Sequence, residues 1–363
     1  MQINKYGIAQ KKNRLNLMNI FDTLKIQIER DLPFVIYKKP NEIWLKGIFQ
    51  NSKELFIIDN FNEKGFAFCS FDSKNNIIIP ENKSEIIIEK YIFNENDIKN
   101  NSLEINNQDS KINFEHIVGN AVDAITKNKF QKVVLSRKIN LKLFDFELIK
   151  VFKNIISNYE SAFCYCFYHP ETGLWMGATP EQLLQVSDNK FETVALAGTQ
   201  KSNNLEKTIW KEKEKQEQKF VTDYITKKLK SQVEDIEVSV PFTVKAGELL
   251  HIKTIISGSL YNSFNLKNII TILHPTPAVC GLPEDISKDY ILKNENYNRE
   301  FYTGFLGELN IENKTDLFVN LRCMKIENDE ATIFVGCGIT KKSSPEREWQ
   351  ETVNKSYTMI KCL

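Results

Sequence analysis

Short runs of strand-forming residues follow one another with no helix between them, and this limits the fold more than any other feature. LPFVIYKKP (32–40), EIWLKGIF (42–49), ELFIID (54–59) and GFAFCSF (65–71) read as strands parted by turn residues, with IIIP (77–80) and IIIEKYIF (86–93) as a further pair. Near the other end REFYTGFLGELN, DLFVNLRCMKI and ATIFVGCG repeat the arrangement. A parallel sheet needs a long crossover after each strand, so these consecutive runs point to α+β and away from a doubly wound sheet. Helical patterns are read over 1–30, 114–130, 146–159, 205–233, 265–273 and 283–295, and from Pro345 onward. Strands fill the intervals between them, with a tight turn expected at 177–180. The Asn-rich stretch 94–111 is the linker candidate. It sets a soft boundary between an N-terminal part (1–110) and a catalytic region (111–363), expected to form one continuous domain.

With 363 residues, 42% of them hydrophobic, the chain can bury a large core. A net charge of +1, with Lys and Arg spread along the chain, implies neither a nucleic-acid nor a membrane partner. Seven cysteines without framework spacing suggest reduced thiols and a cytoplasmic protein. There is no apolar run of about 18 residues and no signal-like N-terminus. No His/Cys cluster has zinc spacing, and P-loop and GxGxxG motifs are absent.

The densest chemical signal lies near the end. Gly336 and Gly338 flank Cys337 after a strand, where backbone can pass close to a ligand. Ser343, Ser344 and Pro345 read as a helix start. At about 100° per residue, Glu348, Glu351 and Lys355 share one face of that helix. They either hold a hard cation and an anionic ligand or form an exposed charge ladder. Lys132, among apolar neighbours in KVVLSRK, is a general base if it faces inward and an edge-strand surface lysine otherwise. Glu181, in GATPEQLL, is a proton donor if its corner raises its pKa and an exposed turn residue otherwise. ALAGT, ending in Thr199, is a ligand approach or a packed turn. Glu214 and Glu217 lie in a charged helix that is mostly solvated, with Glu217 one turn from apolar residues. His251 and His274 are structural groups or ligand contacts, and prolines fix the loop around Ala278 and Val279. Arg322, among apolar strand residues, needs an anion, for which a carboxylate is the natural partner.

Taken in order, KVVLSRK, GATPEQLL, ALAGT, KEKQEQKFVTDYI, HIKTIISGSL, LHPTPAVCGLP, ENYNREFYTGFLGEL, VNLRCMKI and FVGCGITKKSSPEREWQETVNK resemble the chorismate-utilising enzymes, over roughly residues 115–363. That family includes isochorismate, salicylate, anthranilate and aminodeoxychorismate synthases. The resemblance implies two large antiparallel β-sheets packed face to face with helices outside. It implies magnesium held by Glu217 and Glu351, with Glu214 and Glu348 nearby or acting through water. It assigns the enolpyruvyl carboxylate of chorismate to Arg322, Tyr302 and the backbone of Gly336 and Gly338. Lys355 would stand near the metal-bound end, His251 and Thr199 would line the ring site, and Ala278 and Val279 would form its wall.

Within the family, Lys132 matches the position where isochorismate synthases keep a lysine to activate water, and LHPTPAV matches the isochorismate and salicylate branch. The implied activity is magnesium-dependent isomerisation of chorismate to isochorismate. Lys132 would deprotonate water for attack at ring C2 while Glu181 protonates the departing C4 hydroxyl. The alternatives are a salicylate synthase, which goes on to eliminate pyruvate, and a non-catalytic chorismate-binding protein. No obligatory protein partner is implied, a monomer is expected, and either menaquinone or siderophore synthesis would use the product. Three positions depart from the family habit: Thr179 stands where serine is common, Gln218 where histidine often follows the glutamate, and Cys337 where alanine is usual.

Overall fold

The computed structural model describes residues 19–91, 108–201, 208–246 and 249–363. Residues 1–18 of the first expected helix, and most of the linker candidate, lie outside these. The strands pair antiparallel in two sheets. The nine-stranded sheet runs β15 (Gly281–Leu282), β7 (Lys132–Lys142), β19 (Glu330–Ile339), β18 (Cys323–Glu327), β9 (Gly173–Thr179), β8 (Phe163–His169), β1 (Phe34–Lys38), β2 (Trp44–Gln50) and β6 (Ser84–Lys90). The ten-stranded sheet runs β12 (Glu237–Val238), β14 (Leu249–Ser259), β11 (Lys190–Lys201), β10 (Gln182–Ser187), β17 (Lys314–Val319), β16 (Phe305–Ile311), β4 (Gly65–Cys69), β5 (Asn76–Pro80) and β3 (Phe56–Ile57). Its tenth strand, β13 (Phe242–Ala246), pairs with β14. Strands from before residue 92 and after residue 131 thus share both sheets.

Period-two alternation builds the layers. On β4, Phe66 and Phe68 enter the core between the sheets, while Ala67 and Cys69 face outward; on β8, Phe163, Tyr165 and Phe167 enter it, while Cys164 and Cys166 face outward. Phe68 stacks on Phe167 at 4.3 Å and on Phe301 at 4.2 Å across this core, and offset aromatic stacking adds to the burial. The outer faces are covered by helices. On the nine-stranded sheet these are α1 (Ile20–Glu29), α2 (Gln108–Thr126), α3 (Leu148–Asn158) and α7 (Pro345–Ile360). On the ten-stranded sheet they are α4 (Glu212–Leu229) and α5 (Leu266–Leu273). The remaining helix, α6 (Glu284–Asn294), leads away from β15. This is the α/β/β/α arrangement that the resemblance implied. Among the described residues no helix is long and apolar enough to cross a membrane.

Two local expectations are corrected. Residues 177–180 do not turn: β9 runs to Thr179, Pro180 and Glu181 cross between the sheets, and β10 starts in the other sheet at Gln182. The helix expected over 205–233 is shorter, because Thr208, Ile209 and Trp210 are not helical and Trp210 Nε1 donates to Thr243 Oγ1 on β13 at 2.9 Å. That tie holds the chain off the helix until Glu212.

Candidate active site

The crossing at Glu181 opens into a pocket where strand ends of both sheets meet α4 and α7. Lys132, the first residue of β7, turns into it and is 7% exposed. It does not sit on a bare edge, because β15 pairs with β7 at this point. Its ammonium donates to Glu217 Oε1 of α4 at 2.8 Å. A Cβ at Gly338 would lie 3.0 Å from Lys132 Cε and 3.9 Å from Glu217 Oε1. The bare glycine therefore leaves the width that this lysine and glutamate occupy.

Glu181 is buried on the same pocket, 6% exposed. Its backbone is fixed twice. Its N–H donates to Thr179 Oγ1 at 3.3 Å, and its carbonyl accepts from Val319 N at 2.9 Å. Burial pushes the carboxyl up to about 7, against the opposing pull of Lys132, the Thr276 hydroxyl and Lys355. A carboxyl held there carries a proton it can give away near neutral pH.

The last helix brings Glu348, Glu351 and Lys355 to the pocket. Lys355 Nζ donates to Glu351 Oε1 at 2.6 Å and to the Gly336 carbonyl at 2.9 Å. Burial alone would raise the Glu351 carboxyl, but Lys355 holds it below the usual range. Gly336 pairs with Ser136 of β7, and Tyr302 stacks on Phe334 at 5.5 Å with its hydroxyl near Gly336. Arg322 adopts φ +49°, donates to Thr358 Oγ1 at 2.9 Å and is depressed by burial. Among the described residues it forms no ion pair with a carboxylate, so its charge is open to an anion from the pocket.

The opposite wall comes from β11 and β14. The two strands slip register around Gly198, whose φ of +71° suits glycine, and a Cβ there would stand 3.1 Å from Glu214 Cβ. His251 Nδ1–H donates to the Gly198 carbonyl at 3.1 Å, which leaves Nε2 as the ring's acceptor. Burial, with Arg322 and Lys355 nearby, pushes this histidine down to about 4, so it is neutral. Ala278 and Val279 complete the lining. Thr199 pairs with His251 in the sheet, and its side chain lies outside the described ones. His274 is structural: it is buried and donates Nε2–H to the Phe71 carbonyl at 3.2 Å.

Residues 68–363 match the family model described as chorismate binding enzyme. The chain belongs to that family. The match starts well before the motifs that carried the resemblance. Isochorismate synthase EntC of Escherichia coli (strain K12) is 29% identical over 259 residues, covering 68% of this chain and 66% of that protein. Isochorismate synthase MenF of the same strain is also 29% identical over 259 residues, covering 68% of this chain and 59% of that protein. The chain therefore spans about two thirds or less of these relatives' length. The crystal structure of a putative 2,3-dihydroxybenzoate-specific isochorismate synthase, DhbC from Bacillus anthracis, superposes with a TM-score of 0.76 at 21% identity, over 91% of this chain and 96% of that one. That likeness concerns the fold.

For a member of this family the donor set can be tested against the implied magnesium ion. Among the described residues no three His, Cys, Asp or Glu side chains are placed to hold a metal as they stand. Glu217 and Glu351 are each neutralised by a lysine instead. Glu214, Glu217, Glu348 and Glu351 nevertheless all line one pocket and offer only oxygen, which suits a hard cation. Glu214 Oε2 is buried with no hydrogen-bond partner, which an added cation would satisfy.

Sequence reasoning had not singled out Thr303 and Leu321, which also line the pocket, or Thr276 beside Glu181. Thr303 and Thr276 lie inside quoted motifs, but nothing in their local pattern marks them.

Proposed function

We propose that the chain is an isochorismate synthase, an isomerase converting chorismate to isochorismate. The observation that carries the reading is one pocket holding a buried lysine and a buried glutamic acid whose pKa stands at about 7. Relatives bearing that name support it. Lys132 takes a proton from water as its oxygen bonds to ring C2. The ring double bonds shift, the C4–O bond breaks, and Glu181 gives its proton to the leaving hydroxyl. Lys132 donates to Glu217 in this structure, so the base role requires that contact to be released and the ammonium to give up a proton before it can take one from water.

Arg322, Tyr302 and the backbone at Gly336 and Gly338 receive the enolpyruvyl carboxylate, while His251 and the Ala278–Val279 wall hold the ring. Glu217 and Glu351 would hold magnesium, with Glu214 and Glu348 beside it, and the ion would stabilise charge on the ring carboxylate. Charge balance favours this arrangement. With Glu181 protonated and Lys132 neutral, as the mechanism requires, four carboxylates face Lys355 and Arg322, a net negative pocket that repels a dicarboxylate. A divalent cation offsets that charge.

The test is product analysis with chorismate and magnesium, without ammonia. Isochorismate should accumulate. Pyruvate released in step with chorismate loss would instead indicate a salicylate synthase, and magnesium-dependent binding without turnover would indicate a binding protein.

A further inference from the structure

Behind the pocket lies an ion pair that the chemistry does not use. Glu295 follows α6, and Arg299 stands four residues on. Their side chains are 1% and 2% exposed and meet at 2.6 Å. Glu295 Oε1 also accepts from Ser136 N at 2.6 Å and from Ser136 Oγ at 2.8 Å, while Oε2 accepts from Arg299 Nε at 2.7 Å. The pair is thereby fixed to β7. The remaining donors of Arg299 reach three more groups. Nη2 donates to the Val134 carbonyl at 2.8 Å, and Nη1 to the Val279 carbonyl at 3.0 Å and to Thr303 Oγ1 at 3.2 Å. Val134, Val279 and Thr303 all line the pocket, on three separate segments of the chain.

Thr303 supplies a second, independent observation. It is fully buried at φ +61°, a region that β-branched residues avoid. Such strain persists where the surroundings over-determine it, and it concentrates at functional sites. Arg299 grips its hydroxyl, the Asn320 carbonyl accepts its N–H at 2.8 Å, and its own hydroxyl donates to the Tyr302 carbonyl at 2.6 Å.

We propose that Arg299, locked by Glu295, is a positioning residue that ties the Val279 wall and Tyr302 to the strand bearing Lys132, and so fixes the spacing between the ring site and the base. The inference rests on the isochorismate synthase reading for its kinetic consequence, but not for the clamp itself. A lysine at this position could pair with Glu295, yet a point charge cannot serve two carbonyls and a hydroxyl as a planar fork does.

The test compares Arg299→Lys with the wild type by amide hydrogen exchange and by kinetics on chorismate. In the variant, exchange in segments 275–282 and 132–136 should rise at least about tenfold while α7 is unchanged, since a lost local tie raises local opening. The kcat for chorismate should fall about 100-fold, the loss expected for an ångström of misplacement, with KM rising less. Should Arg299→Lys fail to fold, Thr303→Gly carries the test. It keeps the backbone conformation without strain and removes the hydroxyl that Arg299 holds, so kcat should fall about tenfold. Unchanged exchange in both wall segments, or raised exchange with unchanged kcat, overturns the proposal. If the wild type does not turn over chorismate, the functional reading fails, and the exchange data alone decide the clamp.

Discussion

Glu308 and Glu181 are both buried glutamates on strands or crossings of the same two sheets, and the protein treats them in opposite ways. Glu308 lies directly across from Asp316, a like-charged pair that would be destabilising unaided. Lys39 bridges the two at 2.7 and 2.8 Å, Lys46 adds 2.9 Å to Glu308, and the Tyr37 hydroxyl donates to it as well. Burial alone would raise Glu308, but these lysines hold it down to about 2. Lys132 and Lys355 stand near Glu181 but pair with Glu217 and Glu351 instead, and burial leaves Glu181 at about 7. The first site is a latch in which each charge has its counter-charge within the chain. The second leaves an acid protonated and, among the described residues, an arginine without a carboxylate and a buried glutamate oxygen without a partner. The difference separates what holds the sheets together from what awaits a ligand.

The largest expected effect breaks the pocket without touching the latch. Lys132→Ala and Glu181→Gln should each lower turnover by about 10²–10⁴-fold, with the fold retained. Full activity in both would sink the assigned roles. Glu308→Ala should do the reverse. Half-buried Lys46 would lose its carboxylate and Lys39 would keep only Asp316, at a cost of about 1–3 kcal/mol, seen as a lower denaturation midpoint, while kcat per folded molecule holds. Titration sharpens the contrast, because the two signs differ. Glu308 is depressed when folded, so its contribution is present above pH 4.5 and lost as pH falls toward about 2. Glu181 is raised, so its contribution is present below pH 4.5 and lost as pH rises through about 7. Glu181→Gln should therefore stabilise the protein at pH 8, by up to about 3 kcal/mol in urea melts, whereas Glu308→Gln should flatten the acid limb. The wild-type rate should decline above about pH 7 as Glu181 loses its proton. The smallest effect separates two glutamates of α7. Glu351→Gln should raise the magnesium requirement at least about tenfold, and exposed Glu346→Gln should leave it alone.

Much of this was legible in the sequence, and the part that was not has a physical reason. Alternation and helix phase show which face a residue occupies, so the strands emerged and the 348/351/355 face was recognised before any partner was known. Phase does not name partners. Lys132 could be read as base or surface lysine until Glu217, from a helix far along the chain, was seen against it. The latch joins Lys39 to Glu308, and the clamp joins Ser136 to Glu295; neither separation leaves a local pattern. Glu181 looked like a turn residue because Gly, Thr and Pro precede it, whereas the chain uses those residues to leave one sheet for the other.

The central claim is that this pocket delivers water, activated by Lys132, to ring C2 of chorismate. Turnover in oxygen-18 water with magnesium tests it most directly, read by mass and by the position of the label. The account predicts isochorismate carrying the heavy oxygen at C2. A product unlabelled at C2 would contradict it.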